Sequence, residues 1–328
     1  MKKIIVASIF VALTLNSCNF FSIKQEGKTK FKATLIQEWF PNANYAGELL
    51  AMYETDSIND LELTIKPGSD ELDPIKLVIG GNAEFGIVSA DRIIQANEIG
   101  SNLVVIGVAN YKSPTCFIAK TDKNIKTVKD FEGKKIGILT GTNTELIYKS
   151  LILKNKLDKS KLKELEAPFD LATFISGEYD VRPAFVYDEP VSLDLKSISY
   201  NMIKPEDYGV KFLGTVYFCK KELIVKQPEL VLAFVKSIKE GWKETFKNPT
   251  HAIDLLKKFD KGIDKNRESK SLAKAIEYFK GENDRILFAS EESWENMAKD
   301  LKSIGKIKSF DFEKNVNYNF LIKSENDK

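Results

Sequence analysis

The chain carries one histidine, His251, three cysteines, and four arginines (Arg92, Arg182, Arg267 and Arg285) among 49 basic residues. One imidazole cannot build a His-rich zinc site, a His-x-Glu deaminase site or a two-His iron site. A Ser-His-Asp triad needs only one. His251, however, sits in Asn248-Pro249-Thr250-His251-Ala252, where Asn caps a helix and Pro occupies its first turn. It is read as a surface or structural residue, and no metal site is expected. Arg is the better bidentate reader of phosphate and carboxylate, so few such clamps exist. Cys116 and Cys219 lie in the apolar segments Thr115-Cys116-Phe117-Ile118 and Val216-Tyr217-Phe218-Cys219. There they read as small core hydrophobes, with a disulfide as the alternative in an oxidising compartment. The loop Leu139-Thr140-Gly141-Thr142-Asn143-Thr144 falls between a strand and a helix start. Its N–H groups and hydroxyls would face the crevice at the strand's carboxyl end and can hold phosphate, sulfonate, carboxylate or neutral oxygen. A plain helix cap by Thr142 or Asn143 is the competing reading. Ser89 and Asp91 follow another strand end and divide between binding and capping in the same way.

These groups need elements to hold them. Short apolar runs predict strands at Phe31–Trp39, Leu61–Lys66, Phe85–Val88 and Leu103–Ala109, with helices at Ala46–Tyr53, Asp73–Ile79 and Ala90–Glu98 between them. A second block repeats the rhythm with strands at Cys116–Ala119, Lys135–Leu139, Leu162–Glu166 and Pro183–Tyr187. A helical turn at Val128–Phe131 and helices at Thr144–Lys154 and Leu171–Ile175 separate them. The block closes near Val210–Leu213 and the chain returns through Val216–Cys219. The rest is helical. Leu230, Phe234, Ile238, Trp242 and Phe246 form one apolar stripe on a helix from Pro228 to about Lys247, and the two aromatics at its end read as core. Further helices are expected near 249–259, 269–280 and 290–304. The alternation predicts an α/β fold with parallel strands flanked by helices. Two blocks and a helical return predict two lobes, 31–113 plus 219–328 and 114–218. The chain would cross between them near 112–116 and 214–218, a hinge geometry in which closure buries a ligand.

Composition bounds the function classes. The 328 residues are 43% hydrophobic and 29% charged, a globular balance that excludes disorder, collagen and coiled coil. With 49 basic and 47 acidic residues, no basic excess points to nucleic acid. Lys2-Lys3, the apolar run Ile4 to Leu15 and then Asn16-Ser17-Cys18 describe a secretory signal over residues 1–17. The run is shorter than the roughly 20 residues a membrane span needs. Leu15-Asn16-Ser17-Cys18 resembles a bacterial lipobox, which implies lipidation of Cys18 and makes 18–30 a tether. The expectation is an exported lipoprotein, periplasmic or at the cell surface, anchored to a membrane.

Several segments together resemble a known family. Glu38-Trp39-Phe40-Pro41-Asn42-Ala43-Asn44-Tyr45-Ala46-Gly47 is similar to the Trp-x-Pro-Asn-x-x-His-x-Gly opening of the thiamine-pyrimidine branch of ABC-transporter substrate-binding proteins. The wider family includes sulfonate and nitrate binders. Gly80-Gly81-Asn82-Ala83-Glu84-Phe85-Gly86-Ile87 resembles its Gly-x-x-Asp-Phe-Gly-Ile segment, and Lys129 to Gly137 its Asp-Leu-x-Gly-Lys-x-Ile-Gly. Val186-Tyr187-Asp188-Glu189-Pro190, Ile203 to Gly209, and Pro228-Glu229 with Phe234 and Gly241-Trp242 continue the match in order. The resemblance implies a two-lobed periplasmic-binding-protein fold of the type with two crossovers (type II). It also implies a monomeric, cofactor-free receptor that captures a small molecule and delivers it to a permease with its ATPase.

In such a cleft, Trp39, Tyr45 and Tyr187 would supply aromatic faces for a flat nitrogen-bearing ring. Glu189 would accept hydrogen bonds from its amino and N–H groups, and Asn42 would read a ring edge. The ligand this implies is an aminopyrimidine thiamine precursor, with a flavin such as riboflavin or a sulfonate as alternatives. Tyr45 departs from the branch's His, and Arg182 stands where relatives often have an aromatic. An inward Arg182 would favour an anion, whereas pairing with Asp180 or Asp188 would say nothing about the ligand. Two other roles compete with transport. A pyrimidine synthase shares the fold but carries a Cys-rich motif and an active-site His that this chain does not match. A ligand-sensing lipoprotein without transport is the other.

Overall fold

The computed structural model describes residues 31–55 and 59–326. The expected signal, Cys18 and the tether lie outside the described residues.

Among the described residues, ten strands form three sheets. A five-stranded sheet runs in the order β2 (Leu61–Lys66), β1 (Phe31–Ile36), β3 (Phe85–Ser89), β10 (Thr215–Lys220), β4 (Leu103–Val108). β1 is parallel to β2 and β3, while β10 runs antiparallel to β3 and β4. The alternation in β2 is physical: Leu61, Leu63 and Ile65 are buried, and Glu62, Thr64 and Lys66 are exposed. β3 and β4 are buried at every position: β3 is central, and β4, the last strand of the sheet, has its outer edge covered by isolated bridges from Val105 to Val316 and from Val108 to Leu287.

A three-stranded antiparallel sheet has the order β8 (Arg182–Phe185), β5 (Thr115–Lys120), β9 (Tyr200–Ile203). Beside it, β6 (Lys135–Ile138) pairs in parallel with β7 (Lys163–Glu166), and a bridge from Ile136 to Val181 joins β6 to the approach to β8. The chain therefore passes between the sheets twice, once from β4 to β5 and once from β9 to β10.

Helix boundaries follow local chemistry. Pro74–Ile79 starts with Pro at its first position, and the Asp73 carboxylate accepts the Ile75 N–H at 3.0 Å. Pro228–Lys247 buries Leu230, Phe234, Ile238 and Trp242. Phe234 stacks on Phe85 of β3 with ring centroids 3.8 Å apart, and Trp242 on Phe279 at 3.9 Å. Gly47 and Gly241 let the Ala46–Leu50 helix approach this long helix, because a Cβ on Gly241 would lie 2.0 Å from the Gly47 carbonyl oxygen.

Some elements depart from the periodicity. Glu189–Leu195 is a short helix whose pattern is too brief to announce itself. Cys116 and Cys219 are both free and buried, one in the core of the three-stranded sheet and the other in that of the five-stranded sheet. His251 lies in the first turn of Pro249–Phe259, with the Asn248 side chain accepting its N–H, and its ring meets Glu54.

Candidate functional site

A cavity of about 580 Å³ opens where the two sheets face each other across the crossings. Its walls come from the carboxyl ends of β1, β3 and β4, the loop after β6, and the segment from β8 into Glu189–Leu195. That is where an α/β sheet offers its ligand site, and the size suits a small organic molecule.

Trp39, Asn42, Tyr45, Ser89, Gly141, Thr142, Asn143, Tyr187 and Glu189 border this cavity. The aromatic group is larger than the sequence suggested. The Trp39 ring lies 5.1 Å from Phe169, which reaches it from the β7 side, and 5.4 Å from Phe40, edge-on. Phe185 borders the cavity as well and sits 6.4 Å from Tyr187. Tyr187 is pinned from behind by the edge of Tyr278 at 5.6 Å.

Glu189 heads its helix and faces this aromatic lining. Its Oε2 accepts the Phe185 N–H at 2.8 Å, and the Arg182 guanidinium lies 3.5 Å from Oε1. Burial pushes its carboxyl up to about 7, and the neighbouring Asp188 adds to the rise. Arg182 and the Phe185 N–H oppose it.

Two expected residues do not line the cavity. Arg182 is fully buried and donates to the carbonyls of Phe169, Asp170 and Pro183. It pairs with neither Asp180 nor Asp188, which are held by Lys123 and Arg267. An inward cation for an anionic ligand is therefore not available from Arg182. Thr140 turns away, and its hydroxyl bonds the exposed Glu166 carboxylate.

The rest of that loop is already committed. Gly141 has φ +80° and gives its N–H to the Glu145 carboxylate at 2.8 Å. The Thr142 hydroxyl bonds the Leu139 carbonyl at 2.7 Å and pairs with the Thr144 hydroxyl. A carboxylate occupying the donor that an anion would use makes this a poor anion cradle. Asn42 is similarly occupied, with Oδ1 accepting the Asn44 N–H at 2.8 Å and Nδ2 donating to the Phe40 carbonyl at 2.9 Å. Its amide shapes the turn at the cavity edge.

Sequence reasoning missed Glu38, Asp73, Arg92, Asn110, Phe169, Phe185, Asp188 and Thr215, all of which border the cavity. Arg92 bridges Glu38 at 3.1 Å and Asp73 at 2.7 Å, so it is neutralised by protein. Asn110 follows the end of β4, and the rule that points to strand carboxyl ends would have found it. Phe169 carries no such signal.

Comparison with known proteins bears on the class. The profile of the family described as NMT1/THI5 like matches residues 57–252, and the chain belongs to that family. The 4-amino-5-hydroxymethyl-2-methylpyrimidine phosphate synthase of Legionella pneumophila is 24% identical over 232 residues, 69% of this chain and 73% of that protein. The riboflavin-binding protein RibY of Chloroflexus aurantiacus is 23% identical over 236 residues, 70% of this chain and 66% of that protein. Among solved structures, the periplasmic aliphatic sulphonate binding protein SsuA of Escherichia coli superposes with a TM-score of 0.61 at 17% identity, covering 74% of this chain and 83% of that one. The fold is the two-lobed periplasmic-binding-protein fold.

Proposed function

We propose that this chain is the solute receptor of an ABC importer that takes a small aromatic heterocycle between its lobes, best an aminopyrimidine precursor of thiamine. The observation that carries this reading is the cavity's lining. Trp39, Tyr45, Phe169, Phe185 and Tyr187 share the cavity with the carboxyl group of Glu189, which is held in place by a backbone N–H and a buried guanidinium. Aromatic faces stack on a flat ring, and a fixed carboxylate accepts from its N–H or O–H groups. The relatives' names support the class, since one makes a pyrimidine phosphate and another binds riboflavin. A sulfonate is disfavoured by Glu38, Asp73, Asp91 and Glu189 around the cavity, where Arg92 is already paired and Lys306 stands at the edge near Glu145.

A non-catalytic role is part of this proposal. Tyr45 stands where a synthase would have His, and Cys116 and Cys219 sit in separate cores with thiols that burial pushes up. The lobe division at 31–113 plus 219–328 against 114–218 belongs to the proposal with one correction: β10 pairs with β3 and β4 along its length, so residues 215–218 go with the first lobe. Export, the lipid anchor at Cys18, and delivery to a permease and ATPase belong to the proposal too.

The test is a thermal-shift screen of the purified chain followed by calorimetry, using aminopyrimidines, thiamine, riboflavin, taurine, nitrate and aliphatic sulfonates. A ligand at about 100 times its Kd adds about 2.7 kcal/mol and raises the midpoint by a few degrees. A shift with an aminopyrimidine supports the reading. A shift with sulfonates alone overturns it.

A further inference from the structure

Two buried polar atoms, on residues that border the cavity, have no hydrogen bond within the protein. Asp91 and Asn110 are each 1% exposed, and both border the cavity. Asp91 Oδ2 accepts from the Gln95 side chain at 3.1 Å, whereas Asp91 Oδ1 and Asn110 Nδ2 have no partner. Buried polar atoms are almost always paired, so an unpaired donor and an unpaired acceptor beside one cavity call for an explanation.

The direction of the Asn110 amide is fixed by its other end. Oδ1 accepts the Thr215 hydroxyl at 2.6 Å and the Thr215 N–H at 3.4 Å. Turned around, the amide would set its own N–H groups against that N–H, so Nδ2 must be the free atom. Gly214 brings the two residues to one place. The Ala90 N–H donates to the Gly214 carbonyl at 2.9 Å, and the Gly214 N–H donates to the Asn110 carbonyl at 2.9 Å. A Cβ on Gly214 would lie 2.5 Å from that of Asn110, so only glycine allows this approach. The acceptor and the donor thus sit where the two crossings meet, at the carboxyl ends of β3 and β4.

We infer that Asp91 Oδ1 and Asn110 Nδ2 together read one edge of the ligand ring, the first accepting from an amino or ring N–H and the second donating to a neighbouring ring nitrogen or carbonyl oxygen. This rests on the reading of the cavity as a heterocycle site and narrows the ligand class to rings with a donor and an acceptor side by side. A 4-aminopyrimidine has its amino group beside a ring nitrogen, and an isoalloxazine has a ring N–H between two carbonyls. A sulfonate offers acceptors only, which Asp91 repels. Burial and the Glu38 charge push the Asp91 carboxyl up to about 7 against the opposing Ser89 hydroxyl and Arg92, and an arriving N–H is the kind of partner that restores its ionised form.

The test is calorimetry on the whole chain, wild type, Asp91→Asn and Asn110→Asp, each checked for folding by its melting curve. The probes are paired: 4-amino-5-hydroxymethyl-2-methylpyrimidine with its deamino analogue, riboflavin with its N3-methyl derivative, and ethanesulfonate. The expected result is at least tenfold tighter binding of whichever parent heterocycle binds over its blocked partner. Asp91→Asn should erase that difference, and Asn110→Asp should weaken the parent at least tenfold. Parent and blocked probes binding equally to wild type overturns the assignment even if a variant does not fold. Both folded variants keeping wild-type affinity overturns it as well, and leaves the receptor reading intact. Wild type that binds neither heterocycle overturns the receptor reading and this inference together.

Discussion

The Arg182 guanidinium lies 3.5 Å from Glu189 Oε1, with the arginine fully buried and the carboxylate at the cavity wall. The same guanidinium donates to the Phe169 and Asp170 carbonyls. One buried cation therefore fixes the proposed ligand acceptor and also the loop that carries Phe169 to Trp39. Arg182 acts on the cavity from behind, as a strut.

Glu189→Gln keeps the shape and removes the charge. A hydrogen bond to a charged group contributes about 1.5–3 kcal/mol, so aminopyrimidine affinity should fall roughly ten- to hundredfold. Calorimetry on the variant checks this. Unchanged affinity would remove Glu189 from the site.

Arg267 spans from the helix Lys265–Phe279 to Asp188, next to Glu189, and also meets Glu268, whose Oε2 accepts the Ala43 N–H at 2.7 Å. Under the proposed lobe division, this pairing ties the two sides of the cleft together. Arg267→Gln should favour the open form and weaken ligand binding about fivefold, an effect of about 1 kcal/mol for a partly exposed pair. The loss should appear in the dissociation rate, measured by stopped flow. A variant with unaltered dissociation would show that the pair does not hold the cleft closed.

Burial pushes four carboxyls up: Glu38, Glu48 to about 8, and Asp91 and Glu189 to about 7. In the unfolded chain such groups titrate near pH 4. Between those values the folded chain binds more protons than the unfolded one, so stability falls as pH rises. The contribution is fully present below about pH 4 and is lost as pH passes through about 7 to 8. The groups held low, such as Asp130 and Asp158, act at more acidic pH and do not offset this. The melting temperature of the ligand-free chain should fall between about pH 5 and about pH 8, and Glu48→Gln should flatten the upper part of the fall. A flat or rising profile in the parent chain would contradict these shifts.

Gly241 is set against the Gly47 carbonyl with no space for a methyl group. Gly241→Ala must push the helix Ala46–Leu50 away from Pro228–Lys247, which should destabilise by about 3 kcal/mol or more. Because Tyr45 precedes that short helix, ligand affinity should fall with stability. Urea unfolding checks the first, and a midpoint within error of the parent would mean that the helices can separate at little cost.

Much of the fold was legible because its causes are local. The alternation of Leu61, Leu63 and Ile65, the four-residue stripe from Leu230 to Trp242, and the Asp73-Pro74 cap are set within a turn or two of chain. The aromatic and carboxylate motifs around Trp39 and Tyr187–Glu189 were visible as residue types in order. The state of each polar group was not. Arg182 reads in sequence as a candidate anion clamp, but carbonyls 12 and 13 residues away in sequence consume its donors. Asn110 reads as nothing, yet its free Nδ2 is determined by Thr215, 105 residues away. The sequence by itself determined the elements, because side-chain periodicity and capping act over a few residues. Only the tertiary structure decided which donors and acceptors are left for a ligand, because hydrogen-bond satisfaction depends on partners that long-range packing brings together.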